Sequence, residues 1–378
     1  MSPVHSLSVA DYTIRRRPVR TSATRLFRAT AEQSILPYCP QETSPNTRTS
    51  GLAPAETGPS DNVAGHTMAD CPPPSSAVPG SQSQGHGWAR DGAAPLVGIA
   101  RLAASSKPAE TRRSSRERPE YFLLPVKSIL NRCDSQKVPF EWTINPYRGC
   151  EFGCKYCYAR YTHEYMDMDG AEFEKKIFVK KDAAPLLAWD VARKYSFASR
   201  NSGGMEPEHI AIGTATDPYQ PAEREYRVTR ACLEELAKRE GLRISITTKS
   251  DQIVRDIDVL KEIASRSSLS LNITVTTMRT RLARLLEPRA PRPDLRMAAV
   301  RELREAGLAA GVFASPLLPG ITDRGGDLEA VAAAAKDAGA QLFVSTVLFL
   351  MPSSAKQFLP FLREKFPRLA KQYEQWYA

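Results

Sequence analysis

Two rhythms of hydrophobic and polar positions divide this chain. From about Glu141 onward, short apolar runs alternate with longer stretches whose apolar residues return every three to four positions; before about residue 115 neither rhythm is present. The runs Trp142–Tyr147, Glu208–Thr214, Arg243–Thr248, Leu269–Val275, Leu308–Ala314 and Leu342–Leu348 are short, apolar and mostly β-branched, which predicts six strands. Asp182–Tyr195, Ala222–Arg239, Asp251–Ser265, Thr280–Leu286, Asp294–Ala306 and Gly326–Ala338 carry the helical period between them. Ser250 and Pro293 precede two of these helices, and Gly241 and Gly307 follow two others, as helix starts and stops require. Met351 through Tyr377 reads as one or two amphipathic helices. Repeated strand–helix pairs with nearly continuous apolar strands predict an α/β fold, a parallel sheet covered by helices. Pattern alone leaves open a doubly wound sheet and a partial barrel of six β–α units. In both, functional side chains gather at the C-terminal ends of the strands.

The residues before about 115 are rich in Pro, Ser, Thr and Gly, as in Cys71-Pro-Pro-Pro-Ser-Ser. That composition buries too little apolar surface to offset the entropy of ordering. We therefore expect residues 1–115 to be a long disordered segment and residues 121–378 to form the core domain with its C-terminal helices. The opening stretch holds Arg15, Arg16, Arg17, Arg20, Arg25 and Arg28, with Asp11 the one acid before Glu32, and is similar to an organellar transit peptide. The competing reading is a start assigned too far upstream, with Met68 as one later start. Richness in Ala, Arg and Pro, as in a GC-rich bacterial gene, favours the second reading.

Charge and composition narrow the class only partly. No run of eighteen apolar residues occurs, so no membrane-spanning helix is expected. A net charge of +10 over 378 residues permits nucleic-acid binding without demanding it. The seven cysteines are an odd number in a long chain, which argues against a disulfide scaffold and for a reducing, cytoplasmic setting.

Three of those cysteines carry the chemistry. Cys150, Cys154 and Cys157 stand in Asn145-Pro-Tyr-Arg-Gly-Cys-Glu-Phe-Gly-Cys-Lys-Tyr-Cys-Tyr158 at C-x3-C-x2-C spacing, on one tight loop after the first barrel strand. Three thiolates hold three irons of a cubane cluster and leave the last iron open to bind a small molecule. A zinc site wants a fourth ligand and usually a second cysteine pair; no second pair exists, and His163 is the one nearby candidate. Cys232 sits at helical spacing with Leu233 and Leu236 and reads as a core thiol.

With Tyr156 as its aromatic, C-x3-C-x-aromatic-C resembles the motif of the radical S-adenosylmethionine (radical SAM) enzymes. The surrounding residues resemble the spore photoproduct lyase-like branch, over roughly Tyr121 to the end of the chain. The resemblance implies a partial (βα)6 TIM-type barrel, a [4Fe–4S] cluster on Cys150, Cys154 and Cys157, and S-adenosylmethionine on the open iron. Reduction would then release a 5′-deoxyadenosyl radical that takes hydrogen from a substrate. It also implies an electron donor such as flavodoxin or ferredoxin, and makes nucleic acid the leading substrate class, with lyase-like DNA repair as its example. The rivals are radical modification of a protein or small metabolite, and a zinc- or cluster-stabilised nucleic-acid-binding module.

Further candidates lie at strand ends. Thr216 and Asp217, in Thr216-Asp-Pro-Tyr-Gln-Pro-Ala-Glu223, follow the second strand, where spacing alone allows either ligand binding or helix capping. Lys249 ends the third strand, where most lysines simply reach solvent. By resemblance, Thr216, Asp217 and Lys249 contribute with Tyr156 to the cofactor site, and Tyr156 and Tyr158 match tyrosines of a radical relay. Asn272 and Thr274 share one face of a strand and read equally as cavity lining or satisfied core. Arg289 and Arg292 read first as solvated surface, and Asp323 has no assigned role. One departure matters. The relatives carry a cysteine that returns a hydrogen atom at the position of Ala215, so reversal of a thymine dimer by the same route is not implied here.

Overall fold

The computed structural model describes residues 98–108, 119–135, 138–201 and 207–377. The expectations for residues 1–97 lie outside the described residues. In chain order the strands are β1 (Lys107–Pro108), β2 (Glu120–Leu123), β3 (Leu130–Arg132), β4 (Trp142–Ile144), β5 (Tyr147–Arg148), β6 (Lys176–Val179), β7 (His209–Ile212), β8 (Arg243–Thr248), β9 (Ser268–Thr274), β10 (Ala310–Leu317) and β11 (Phe343–Val347). The helices are α1 (Gly98–Ala104), α2 (Tyr161–Glu164), α3 (Ala183–Asn201), α4 (Glu223–Tyr226), α5 (Val228–Ala237), α6 (Ile257–Arg266), α7 (Thr280–Leu286), α8 (Pro293–Glu305), α9 (Asp327–Asp337), α10 (Pro352–Lys365) and α11 (Pro367–Trp376).

The main sheet runs β11-β10-β9-β8-β7-β4-β3. From β4 to β11 every neighbouring pair is parallel, and β3 adds to the β4 edge antiparallel. Strand order follows chain order without reversal. A doubly wound sheet reverses direction at a switch point, so this is the singly wound, open arrangement of a partial barrel. All six expected barrel strands are present. Ile210, Ile212, Ile244, Ile246, Leu271 and Ile273 are at most 1% exposed, each worth about 1.5–3 kcal/mol on burial.

Three features depart from the sequence reading. The first is a second sheet, β1-β2-β6-β5, in which β2 and β6 are parallel and β5 pairs antiparallel with β6. The second is the onset of folded structure: α1 and β1 precede the boundary expected at residue 115, with Lys107 and Pro108 paired to Leu123 and Phe122. The third is a break in the helix expected over Ala222–Arg239, which splits at Arg227 with φ +52°. Buried Glu223 explains the break, because its carboxylate accepts the Thr229 and Arg230 N–H groups and so satisfies the first turn of α5.

Helices α10 and α11 close the C-terminal end of the fold. Phe358, Phe361, Leu362, Ala370 and Tyr373 share one apolar cluster with Cys150, Phe152, Cys154 and Tyr156. The Tyr373 hydroxyl donates to the Pro319 carbonyl (2.9 Å). The cysteine loop is thereby packed into a core.

Candidate functional site

The cysteine loop starts at an edge. β4 belongs to the main sheet and β5 to the small one, so the chain changes sheets at Asn145-Pro146. Lys180 secures this step: its N–H bonds the Pro146 carbonyl (3.2 Å) and its ammonium the Asn145 carbonyl (2.6 Å). Burial, helped by Arg148, brings the Lys180 amine down to about 7. The Asn145 side chain turns to the end of β7, donating to Thr214 (3.0 Å) and accepting the Ala215 N–H (2.8 Å).

Gly149 then makes a turn no other residue fits. Its φ is +83°, and an added Cβ would lie 2.6 Å from the Lys176 carbonyl oxygen and 2.8 Å from that of Phe173. Cys150 follows, its N–H on the Phe173 carbonyl (3.0 Å). Gly153 also takes a positive φ, +63°, just before Cys154. Cys150 and Cys154 are buried and Cys157 half-buried, all three as free thiols. The loop is held from outside. Lys155 N–H bonds the Leu286 carbonyl (2.9 Å), Arg160 donates to the Cys154 carbonyl (3.1 Å), and the Ser354 hydroxyl to that of Cys157 (2.6 Å).

Thr216, Asp217 and Lys249 meet this loop from the ends of β7 and β8. The Thr216 hydroxyl donates to the Gly149 carbonyl (2.6 Å), and Gln220 donates to the same oxygen (3.1 Å) while its own carbonyl takes the Glu151 N–H (3.0 Å). Asp217 accepts from the Thr248 hydroxyl (2.6 Å), the Lys249 N–H (2.7 Å) and the Tyr219 N–H (3.0 Å). The Lys249 ammonium stands 5.9 Å from the centre of the Tyr156 ring. Asp217 thus caps the turn at Tyr219, the capping role the sequence allowed, and it also links two strand ends beside the cysteines.

The electrostatics reflect a desolvated site. Burial, with the neighbouring Asp217, pushes the Cys150 thiol well up, and burial pushes Cys154 up to about 12. Burial also raises the Asp217 carboxyl. Burial opposes the charged form of Lys249, but Cys154 and Glu287 carry its pKa above the ordinary lysine range. Buried thiols of this kind become thiolates only against a compensating cation.

Two residues that sequence reasoning passed over complete the wall. Glu287 and Arg296 are each 1% exposed and form an ion pair at 2.5 Å. Glu287 accepts from the Tyr156 and Thr276 hydroxyls, the latter at 3.0 Å, and Arg296 donates to the Thr274 carbonyl (3.0 Å) and the Pro291 carbonyl (2.8 Å). The one signal in the sequence was a single acid in the arginine-rich stretch from Arg279 to Arg292.

The other candidates separate. Tyr158 is exposed, and its hydroxyl donates to the Thr214 carbonyl. Ala215 packs against the same apolar cluster as the cysteines. His163 points away from zinc chemistry: its Nε2 is taken by the Lys176 carbonyl (3.0 Å), and its ring packs edge-on against Phe173 and Phe178. Burial brings it down to about 4. Among the described residues, no three His, Cys, Asp or Glu side chains converge on a single metal ion. Asn272 is buried with its Oδ1 unbonded, Arg292 pairs with Asp294, and Asp323 accepts the Gly320 N–H (2.6 Å) within its own loop. The residues present fit an iron–sulfur group: three free thiols on a loop turned by two positive-φ glycines, with no fourth ligand in place among the described residues.

Comparison with known proteins agrees in outline. A family model described as the radical SAM superfamily matches residues 144–333. Uncharacterized protein Rv2578c of Mycobacterium tuberculosis is 33% identical over 253 residues, covering 66% of this chain and 72% of the relative. Uncharacterized protein MJ0683 of Methanocaldococcus jannaschii is 30% identical over 188 residues, 50% of this chain and 64% of the relative. Among solved structures, spore photoproduct lyase with bound AdoMet and dinucleoside spore photoproduct matches at TM-score 0.45 and 16% identity, over 66% of each chain. The radical S-adenosylmethionine methyltransferase TsrM of Kitasatospora setae matches at TM-score 0.40 and 16% identity, over 59% of this chain and 38% of that one. Neither structural likeness transfers a residue role. No helix among the described residues is long and apolar enough to cross a membrane.

Proposed function

The chain belongs to the radical SAM superfamily, and we propose that it holds a [4Fe–4S] cluster on Cys150, Cys154 and Cys157 and cleaves S-adenosylmethionine reductively to start radical chemistry. The observation that carries this reading is the meeting of a three-thiol loop with Asp217 and Lys249 at the C-terminal ends of neighbouring parallel strands. When bound, the cluster supplies the electron and an open iron for the cofactor's amino and carboxylate groups.

The chain's own residues do the holding. Lys249, whose ammonium bonds no carboxylate among the described residues, would meet the cofactor's carboxylate. Asp217 keeps one acceptor site on Oδ2 beyond the three bonds it makes, suited to an ammonium or a ribose hydroxyl. Thr216 and Gln220 fix the Gly149 carbonyl and so the start of the loop. Tyr156 would form a wall of the cofactor site, whereas exposed Tyr158, at the end of the cysteine loop and bonded to the Thr214 carbonyl, would face substrate.

The substrate class we propose is nucleic acid. In support, the chain carries a charge of +10, and Tyr158 stacks on Tyr161 with ring centres 6.4 Å apart, offering aromatic faces of the kind bases stack upon. A lyase-like reaction is proposed without the thiol relay, since Ala215 has no S–H hydrogen to return. A flavodoxin- or ferredoxin-type protein would supply the electron. The test is anaerobic reconstitution followed by dithionite and S-adenosylmethionine, with and without single-stranded DNA or RNA. The expected result is 5′-deoxyadenosine, stimulated by polynucleotide. Cofactor cleavage that ignores polynucleotide but responds to a protein or metabolite fraction would replace the substrate class while leaving the chemistry.

A further inference from the structure

Among the charged side chains around the cysteine loop, Asp217 and Lys249 are the proposed cofactor-binding residues, and Glu287 and Arg296 have no part in that role. Lys249 and Asp217 face the loop from β7 and β8. Glu287 and Arg296 face it from the end of α7 and the first turns of α8, buried as an ion pair. That pair sits where charge matters. Glu287 bonds the hydroxyl of Tyr156, which lies between two of the three cysteines, and the residue before Glu287 is tied to the cysteine loop at Lys155, next to Cys154. The pair also closes the 276–292 loop on itself. Thr276 donates to Glu287, and Arg296 bonds the Thr274 and Pro291 carbonyls. Two backbone bonds tie that loop to the cysteine loop, Lys155 to Leu286 (2.9 Å) and Arg289 to Phe152 (3.3 Å).

A buried ion pair is a costly way merely to close a loop, since apolar residues of similar volume do so as well or better. Its retention beside Cys154 calls for a use of the charges. A cluster's reduction potential depends on net charge and on hydrogen bonding in its surroundings. In a desolvated wall a fixed carboxylate opposes gain of an electron, and a fixed guanidinium favours it.

We propose that Glu287 and Arg296 are positioning residues for the cluster: Glu287 orients Tyr156 and, with Arg296, sets the electrostatic field at Cys154 that tunes the cluster's reduction potential. The proposal rests on the cluster reading above. Glu287 is ionised in this role: although burial opposes its charge, Arg296 and Lys249 hold its carboxyl below the usual range.

The two charges have opposite signs, and the test uses that. The cluster is reconstituted anaerobically in wild type, Glu287→Gln, Arg296→Met and the double variant, and its potential is read by EPR-monitored titration without S-adenosylmethionine. Glu287→Gln removes a negative charge and should raise the potential, favouring reduction tenfold or more, which is 59 mV or more for one electron. Arg296→Met should lower it by a similar factor. The double variant removes no net charge and should return close to wild type. Equal potentials in all four proteins overturn the proposal, as do single variants that both shift in one direction, because a structural disturbance has no sign. If the single variants do not load a cluster, the double variant decides, since a shift beyond tenfold there also overturns it. Tyr156→Phe keeps both charges, so its potential should stay within tenfold of wild type. Affinity for S-adenosylmethionine, followed by the change in the reduced cluster's EPR signal, should fall several-fold in Tyr156→Phe and in Glu287→Gln. Unchanged affinity in both removes the orienting role. Failure of the wild-type protein to form any iron–sulfur cluster would refute the functional reading itself, a result distinct from each of these.

Discussion

Two carboxylates border the cysteine loop and are stabilised in opposite ways. Asp217, beside Cys150, is held only by neutral donors: one hydroxyl and two backbone N–H groups. Burial therefore raises its pKa. Glu287, beside Cys154, is held by a guanidinium and two hydroxyls, and its pKa falls despite deeper burial. A carboxylate satisfied by neutral groups keeps its charge for a cationic ligand. One locked in an ion pair has its charge committed to the wall. On the proposed reading, Asp217 serves the cofactor and Glu287 the loop that frames it.

The largest effect comes from removing what both acids surround. Cys150→Ala, Cys154→Ala or Cys157→Ala should each abolish 5′-deoxyadenosine formation, measured by chromatography after anaerobic reconstitution. Next is the turn ahead of the first cysteine. Gly149→Ala meets two backbone carbonyls and an unfavourable φ, and should cost more than about 2 kcal/mol, seen as a lower denaturation midpoint and poor iron loading. Asp217→Asn should retain full iron content yet lower kcat/KM for S-adenosylmethionine at least tenfold, mainly through KM. An equal loss of iron would mean that Asp217 serves the loop rather than the ligand.

The two acids should also respond to pH with opposite signs. The raised pKa of Asp217 means its ionised form costs stability, a cost relieved as pH falls through the folded value. The depressed pKa of Glu287 means its contribution is present above the unfolded carboxylate range and is lost as pH falls through the folded value. In chemical denaturation of the apoprotein across mildly acidic pH, Asp217→Asn should therefore lose stability more steeply than wild type, and Glu287→Gln less steeply. The smallest effect belongs to His163, neutral in the fold with a pKa of about 4 against 6.5 when free. Its contribution should fade between those two values as the unfolded chain takes up the proton first. His163→Met should remove that part of the slope while costing about 1 kcal/mol at neutral pH for the lost hydrogen bond.

The barrel was legible because its strands are local and strongly apolar. Each of the six, including Arg243–Thr248 residue for residue, came from a short apolar run whose neighbours in the sheet follow the order of the sequence. The small sheet was not legible. Strands of two to four residues such as Tyr147–Arg148 and Lys107–Pro108 carry no period and exist through distant partners. The break at Arg227 was hidden for a related reason, since the cap of α5 comes from Glu223 below it rather than from an adjacent Ser or Asp. Within the site, spacing revealed the cysteines, and the family resemblance singled out Asp217 and Lys249 at strand ends. Nothing local told that Glu287 and Arg296 would be buried, because an acid just after one arginine-bearing helix and an arginine near the start of the next ordinarily face solvent. Only the packing of the α7–α8 segment against the cysteine loop turned them inward.

The most direct measurement of the central claim is metal and sulfide analysis of the anaerobically reconstituted protein, joined to its reaction with dithionite and S-adenosylmethionine. The account predicts iron and acid-labile sulfide in the proportions of a [4Fe–4S] cluster, with 5′-deoxyadenosine formed only when Cys150, Cys154 and Cys157 are all present. Zinc without iron or sulfide, or full cleavage activity in Cys154→Ala, would contradict it.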